Sequence, residues 1–502
     1  MQLLTIGLAN GAIIALNAIS VSLIYSLVRV INFAHGDMFA LLSVLASVLV
    51  GALGLHSGMA FWQLGLGMLV VLGLTMLAGM SASVAVERVG FRPFRGGSRL
   101  APLMATLGIS FMLYQAALFV RTLTNAVIKG EHRSVPGIPE VARIDVADVF
   151  SKDNLVTRLG IQSSVVIQSK DLVMLGLAIV VALAMWWFLA RTRLGAMIRS
   201  CAYDPTMAQL CGINYTHTIR LVFALGGALA GIAAVAYATY YTSPYTNYGA
   251  ASGLIAFTAA IIGGIGKPLG ALWSSLLLGI ISAFSDYFIA AAWTPAILLG
   301  LLIILLVIRG KGAVAIEHNT SDAIASDQVR RPKRWHRWAM IGCGILLLVA
   351  PWINHLFNLG LLVTLTNIVI FALLAFGLNI TVGWTGMLDL GYVACFALGA
   401  YVVGLLGAGT GGIKNTLASG DVFLILLFAG GFTALVGMGI GALTKRLSNE
   451  SMALATFALA VIVQRTLYNW RSLTDGASGV SGIPHLRVLG WSLDNPIVTY
   501  YA

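Results

Sequence analysis

The sequence has few charged residues. Only 10% of its 502 residues are Asp, Glu, Lys or Arg, whereas a soluble globular domain carries about 25%. A chain with so little charge cannot cover a water-facing surface, which excludes a large soluble protein. The 59% hydrophobic share and the recurring apolar runs of roughly 20 residues indicate a polytopic α-helical membrane protein. Such long unbroken runs also argue against an outer-membrane barrel.

Cysteine is scarce too. The four cysteines, Cys201, Cys211, Cys343 and Cys395, lie in or near apolar segments and form no C-x-x-C pair. We interpret them as small core residues, not as disulfide partners or metal ligands.

Fourteen apolar segments are expected to be transmembrane or re-entrant helices, which makes the predicted fold all-α. The first is interpreted as a membrane helix and not as a cleaved signal peptide, because no basic region precedes it. The predicted segments are 3–28, 31–52, 60–86, 100–120, 172–190, 220–242, 253–266, 268–289, 293–308, 338–353, 361–383, 389–408, 422–443 and 452–468.

Basic residues indicate how the chain is oriented. Lys and Arg total 30 against 18 Asp and Glu, a net charge of +12. They cluster near residues 88–99, 191–199, 309–337 and 445–446, and the order of the segments places all four loops on one side. The positive-inside rule makes that side the cytoplasm and puts the N-terminus outside. The excess charge therefore reflects orientation, and no nucleic-acid partner is expected.

The sequence contains an internal repeat. The first four segments correspond to the last four, and an additional segment at 338–353 gives both halves the same orientation, a parallel repeat. The matching strings keep their order: 15–18 with 372–375, 39–41 with 396–398, 105–107 with 455–457, and 135–139 with 480–484. This predicts a first domain at 1–308, a cytoplasmic linker at 309–337 and a second domain at 338–502.

The polar segment 191–220 is the most informative one. Apolar residues follow helical spacing through Cys201, and Asp204 with Pro205 then forms a favourable N-cap and first-turn pair. A second short helix is predicted to end at Gly212. An ordinary connection is shorter and more polar, so we expect a docking helix for a cytoplasmic partner.

Several strings resemble the permeases of branched-chain amino acid ABC transporters. Residues 193–213 and 223–231 resemble that family's coupling loop, and 30–37, Val-Ile-Asn-Phe-Ala-His-Gly-Asp, is similar to the signature of its H-type subunit. Residues 92–103 and 259–266 also resemble the H-type subunit of this family. The strings at 375–379, 383–388 and 469–484 resemble the M-type partner subunit. The chain thus resembles a fusion of an H-type and an M-type permease domain.

The resemblance implies a transport permease and not an enzyme: a component of an ATP-driven importer of branched-chain, hydrophobic amino acids in the bacterial inner membrane. It implies two cytoplasmic ATP-binding subunits and a periplasmic or extracytoplasmic substrate-binding protein as partners, besides membrane lipid. The outside segments 121–171 and 469–502 are candidate binding-protein contacts. The residues that would form the ATPase-coupling loop are Arg193, Gly195, Arg199, Ala202, Asp204, Ala208, Gly212 and Ile213.

No cofactor is expected on this chain, and ATP would be used by the partners. The closest string to a phosphate-binding loop, at 263–268, has Pro268 where a hydroxyl residue is required. No carboxylate pair, Ser/His/Asp set or metal-ligand spacing suggests catalysis or a structural metal.

A translocation pathway is the second candidate site, because polar groups in a membrane are costly. Asp389 occupies the repeat position equivalent to Asn32, so polar groups stand at matching places. The alternative, equally weighted, is that His35 and Asp37 only satisfy each other or the backbone near a broken helix. The candidate residues are Asn32, His35, Gly36, Asp37, Asp389 and Gly391.

Other interpretations remain open. A member of the same family could carry urea, amides or other amino acids, since specificity rests largely with the binding protein. An ion-coupled secondary transporter would instead need a charged ion site within the membrane. M-type permeases continue with further spans and a coupling loop of their own, so we expect the second domain to be incomplete at its C-terminus, or completed by another polypeptide.

Overall fold

A computed structural model describes most of the chain. It covers residues 1–94, 100–129, 149–150, 154, 166–242, 248–309, 334–357, 361–384, 388–408, 422–445, 447–481, 487–488, 491–492 and 500. These residues divide into two compact units, Met1–Leu302 and Ile303–Ala502. The predicted linker falls mainly on residues 310–333, which lie outside the described part of the chain.

The first unit is built from helices. They are α1 (Gln2–Val28), α2 (Ala34–Ala52), α3 (Phe61–Val86), α4 (Leu100–Lys129), α5 (Ser169–Arg191), α6 (Arg193–Tyr203), α7 (Pro205–Leu210), α8 (Tyr215–Tyr241), α9 (Gly249–Gly263), α10 (Pro268–Ser285) and α11 (Thr294–Arg309). A π-helical turn, Glu87–Phe91, continues α3, and another, Asp286–Ala290, continues α10.

The second unit is also mainly helical in its described residues, which include one pair of short strands. Its helices are α12 (Arg334–Phe357), α13 (Leu362–Asn379), α14 (Tyr392–Ala408), α15 (Val422–Thr444), α16 (Asn449–Asn469) and α17 (Arg471–Thr474). Strands β1 (Arg487–Val488) and β2 (Trp491–Ser492) pair antiparallel.

The prediction of an all-α polytopic membrane protein is confirmed. Within the described residues, ten helices are long and apolar enough to cross a membrane, and four apolar helices are shorter. The bounds differ in places from those predicted. Helix α4 continues through Lys129, well past the predicted end at 120. The prediction ended the segment where the apolar run ends, but the less apolar residues 121–129 are helical too.

Small residues allow the core helices of the first unit to pack closely. A Cβ on Gly11 of α1 would lie 2.7 Å from the Cα of Leu276 in α10. Gly79 of α3 and Gly227 of α8 face each other so closely that a Cβ on either would collide with the other's carbonyl oxygen. Because lipid supplies no hydrophobic force between helices, such backbone contact is what holds a membrane bundle together.

Polar contacts fix the two ends of α8. At one end Tyr240 donates a hydrogen bond to Asp171 Oδ1 (3.1 Å) in α5, and Tyr241 donates to Asn10 Oδ1 (2.8 Å) in α1. Near the other end, Arg220 Nε lies 3.9 Å from Oε2 of the buried Glu87. Helix α8 is therefore tied to its neighbours by side chains as well as by packing.

Candidate functional site

Helix α6 begins directly at the end of α5 and is held against it. Thr192 caps α6 by accepting a hydrogen bond from Gly195 N (3.0 Å) on its Oγ1. A Cβ at Gly195 would lie 2.6 Å from Leu189 O, so a larger residue there would push the two helices apart. Arg199 Nη1 donates to the same Leu189 carbonyl, which satisfies an acceptor at the C-terminus of α5.

Arg29 ties the other end of α6 to α1. Its Nη2 donates to the carbonyl oxygens of Ala202 (2.5 Å) and Tyr203 (3.3 Å). The sequence interpretation missed Arg29, because its role depends on a turn after Val28 that brings α1 and α6 together. Its own left-handed backbone, with φ 54°, ends α1. Arg199 thus anchors α6 to the last turn of α5, and Arg29 anchors the C-terminal end of α6 to α1.

The predicted caps of α7 are confirmed. Asp204 Oδ1 accepts from Thr206 N (2.8 Å) and Met207 N (3.1 Å), and Pro205 occupies the first turn. Gly212 adopts φ 83° after the helix. Ile213 N then donates to Ala208 O (3.0 Å) and Gly212 N to Gln209 O (2.9 Å), the two bonds of a Schellman ending.

Helix α7 presents apolar side chains to its surroundings. Ala208 is buried against the protein, whereas Met207 is 60% exposed and Leu210 is 77% exposed. These two residues are three positions apart and therefore neighbours on one face of the helix. Met207 and Leu210 thus form an uncovered apolar surface on a short helix that is capped at both ends. Tyr203, just before α7, is 85% exposed, and the side chain of Arg193 at the start of α6 is exposed as well.

The interpretation of the cysteines is partly wrong. Cys201 is buried in α6, as expected, and burial raises the pKa of its thiol. Cys211 is exposed, because α7 ends at Leu210 and the turn that follows faces outward. Cys395 is half-buried, and the side chain of Cys343 lies outside the described part.

The second candidate site begins where the chain returns into the membrane. His35 Nε2 lies 3.1 Å from Oδ1 of Asn17, in the middle of α1. At 1.5 Å per residue, Asn17 is about 16 Å from the end of α1 at Val28. Residues 29–33 must therefore run back alongside α1, towards its middle, before α2 starts. Val30 and Phe33 are buried, as required of irregular backbone at membrane depth.

The polar residues at this helix start do not satisfy each other. His35 contacts Asn17, whereas Asp37 Oδ2 accepts a hydrogen bond from Ser110 in α4. The alternative in which His35 pairs with Asp37 is therefore wrong. Within the described residues, His35 Nδ1 and Asn32 Oδ1 are buried without a hydrogen-bond partner. Buried polar atoms of this kind call for a water or a ligand.

Gly36 sets how closely α2 approaches α9. A Cβ at Gly36 would collide with the carbonyl oxygen of Gly249 and lie 3.1 Å from the Cα of Gly253. Asp37 and the helix start are held in place by this contact, since no side chain separates the two backbones.

The second unit has a comparable helix start with different chemistry. Asp389 Oδ1 accepts from Gly391 N (2.8 Å), and Leu390 N donates to Thr456 Oγ1 (3.0 Å) in α16. A Cβ at Gly391 would lie 2.7 Å from Thr456 O. Thr456 and Thr106 also donate hydrogen bonds to carbonyls of their own helices. Asp389 thus braces a turn, and a role in a pathway stays a prediction for all six candidate residues.

Comparison with known proteins identifies relatives for both units. The family model described as "Branched-chain amino acid transport system / permease component" matches residues 3–307 and again residues 360–490. The high-affinity branched-chain amino acid transport system permease protein BraD of Pseudomonas aeruginosa is 32% identical over 312 residues, 62% of this chain and 94% of BraD.

Two further relatives cover shorter stretches. The corresponding permease protein LivM of Escherichia coli is 31% identical over 146 residues, 29% of this chain and 32% of LivM. The nucleoside ABC transporter permease protein NupC of Lactococcus lactis is 37% identical over 111 residues, 22% of this chain and 34% of NupC. The comparison with solved structures found no match.

Proposed function

The chain belongs to the family of permease components of branched-chain amino acid transport systems, and we propose that it works in an ATP-driven importer of branched-chain amino acids. The chain would lie in the bacterial inner membrane with its N-terminus outside and its two repeats in the same orientation. A binding protein would deliver the substrate from outside, and two separate cytoplasmic ATPases would supply the energy. No cofactor is assigned to the chain itself.

The observation that supports coupling to an ATPase is the construction of α6 and α7. Helix α7 offers Met207 and Leu210 to a partner, and a helix with an exposed apolar face fits a groove on another protein. Arg199 connects α6 to the end of α5, and Arg29 connects it to α1. A displacement of α7 by a partner would therefore be passed to two membrane helices.

This connection suggests how access alternates. Closure of the two ATPases on ATP would move α7, and α5 and α1 would follow because their ends are bonded to α6. Helix α1 carries Asn17, which contacts His35 at the start of α2. In this proposal a cytoplasmic movement reaches the polar residues at membrane depth through α1.

The proposal is tested by transport in proteoliposomes. The chain is reconstituted with candidate ATPases and a candidate binding protein from its own organism, and uptake of radiolabelled L-leucine is measured. We expect uptake that requires ATP on the cytoplasmic side and is unaffected by a protonophore. Uptake without ATP that stops when the ion gradient collapses would establish a secondary transporter instead.

A second substrate class has one specific observation in its favour. NupC, named as a nucleoside permease, is similar over 111 residues. Competition therefore includes L-isoleucine, L-valine, urea and uridine, each in excess over labelled L-leucine. Inhibition by the two amino acids alone supports the proposal, and transport of uridine or urea in place of leucine would reassign the substrate.

A further inference from the structure

A cavity of about 240 Å³ lies within the first unit, between α1, α2, α8, α9, α10 and α11. For comparison, an engineered protein cavity of about 150 Å³ holds a benzene molecule. The cavity is therefore large enough for a small organic solute. Its lining residues all belong to the first unit, whereas a pathway at matching repeat positions would draw on both halves.

Polar side chains line the cavity at successive depths. Asp286 stands at an exposed position after α10, and its Oδ1 accepts a hydrogen bond from Thr294. Asn10 and Asn17 lie on one side of α1, about 10 Å apart at 1.5 Å per residue. The polar lining thus extends from an exposed mouth to the residue that contacts His35.

The hydrogen bonds already present decide what the two asparagines can offer. Asn10 Oδ1 accepts from Tyr241, and Asn17 Oδ1 faces His35 Nε2, which must carry the proton because an amide oxygen only accepts. With both oxygens engaged, each side chain has its Nδ2 group, two N–H donors, for a ligand. Donors of this kind suit a carboxylate.

The rest of the wall mixes apolar side chains with hydroxyl groups. Ile13 lies between the two asparagines on α1, and Ile255 and Leu298 face the cavity from α9 and α11. The hydroxyl residues of the wall are Ser252, Ser282, Thr294, Tyr237, Tyr241 and Tyr248. Apolar surface combined with placed polar groups is typical of sites for small ligands. An acidic mouth, amide donors below it and a branched aliphatic wall match the three parts of an aliphatic α-amino acid: its ammonium, its carboxylate and its side chain.

We propose that this cavity binds one aliphatic α-amino acid, so that the first unit holds a substrate site of its own. The ammonium group meets Asp286 at the mouth, the carboxylate is taken by the amide donors of Asn10, and the side chain lies against Ile13 and Leu298. Asn17 offers a second pair of amide donors deeper in the cavity. This inference rests on the proposed function for its substrate class. The location of a substrate site within the first unit alone is not part of that proposed function and is the new inference.

The test uses single cysteines in the complete reconstituted transporter. Ser252→Cys and Ser282→Cys place a thiol on the cavity wall, and Ser275→Cys, on the same helix as Ser282 but buried away from the cavity, is the matched control. Each is nearly isosteric with serine, so the fold is retained. A membrane-impermeant thiosulfonate reagent is applied from each face in turn, and the unsubstituted chain gives the background from the native cysteines.

We expect both cavity cysteines to be labelled from the face of the Asp286 mouth, and the Ser275→Cys control to stay at background. L-Leucine at about ten times its dissociation constant should slow labelling about tenfold, because about a tenth of the sites remain empty. Asn10→Leu should remove most of this protection, measured against the labelling rate of the same variant without leucine.

Three results would overturn the inference. Cavity cysteines that stay unlabelled from both faces would show that solute does not enter. Labelling without protection, in a transporter that still imports leucine with ATP, would refute the site and leave the proposed function standing. Protection by uridine or urea but not by leucine would refute the amino-acid assignment, and with it the proposed substrate.

Discussion

Replacing Asp204 with alanine should weaken coupling without removing the protein from the membrane. Helix α7 has only six residues, and an isolated helix of that length does not form in water. It depends on its caps and on the protein beneath it. Asp204 provides the N-terminal cap, with hydrogen bonds from the backbone N–H groups of Thr206 and Met207.

The size of the effect follows from these two bonds. Loss of an N-cap side chain to alanine costs about 1 kcal/mol. That free energy lowers the population of capped α7 relative to its frayed form about fivefold. If the ATPase binds the formed helix, Asp204→Ala should weaken docking by up to the same factor, which is reached when the frayed form predominates. Gly212→Ala should destabilise the C-terminal end of α7, because L-residues with φ near +83° are strained by about 1–2 kcal/mol.

The assay compares leucine uptake with ATP hydrolysis in the reconstituted transporter. For Asp204→Ala, we expect ATP-dependent leucine uptake to fall by up to about fivefold at limiting ATPase concentration and to recover when ATPase is in excess. Asp204→Asn and Asp204→Ser are the matched controls, since both side chains can cap a helix. Gly212→Asn should be milder than Gly212→Ala, because asparagine tolerates the left-handed region.

The controls also decide whether the reasoning is correct. If Asp204→Asn is as defective as Asp204→Ala, the carboxylate acts through its charge, for example on an ATPase residue, and the capping argument fails. If uptake is normal in both Asp204→Ala and Gly212→Ala, the conformation of α7 does not matter for transport. The coupling hypothesis would then have to be abandoned.

Two further predictions concern packing and thiol access. Gly36→Ala should lower the melting temperature of the detergent-purified protein, since its Cβ collides with Gly249 and overpacking costs about 1–3 kcal/mol. Gly51→Ala in the same helix meets nothing within 4 Å and should be neutral; equal melting temperatures would contradict the contact. A maleimide should modify Cys211 rapidly and Cys201 slowly, because Cys201 is buried and its raised pKa leaves less of the reactive thiolate. Faster modification of Cys201, measured by mass spectrometry, would show that α6 is not packed as described.

Local features of the chain were predictable because their causes are local. The ends of α7 follow from residues within a few positions of each other: Asp204 before Pro205 at the start, and Gly212 at the end. Threonine bonding to its own helix, as at Thr106, depends only on the preceding turn. The apolar segments were found for the same reason, since each must supply its own hydrophobic length.

Contacts that depend on tertiary structure could not be predicted. The bond between His35 and Asn17 exists because residues 29–33 turn back along α1, and no pattern in the sequence records that turn. The role of Arg29 depends on the same geometry. The sequence did place His35 in a polar group near a broken helix. It could not show whether the partner is a neighbour in sequence or a residue on the preceding helix.

The two repeats retain one backbone design and differ in its chemistry. In the first unit His35, in the first turn of α2, reaches Asn17 of α1; the repeat alignment puts Tyr392 and Leu374 at these positions. Tyr392 still approaches the preceding helix, since its hydroxyl occupies the space beside Gly377.

The carboxylate of the first repeat is also missing from the second. Asp37 and Ser110 form a hydrogen bond in the first unit, and the aligned positions hold Ala394 and Ala460. A helix start at membrane depth needs only buried, closely packed backbone, which both repeats supply through glycines at 36 and 391. Polar side chains there are costly and are not needed for that packing. The second repeat keeps Asp389 at its helix start but has no counterpart of the His35–Asn17 and Asp37–Ser110 contacts. These two contacts therefore point to a task that the repeats do not share, as a substrate site within the first unit would require.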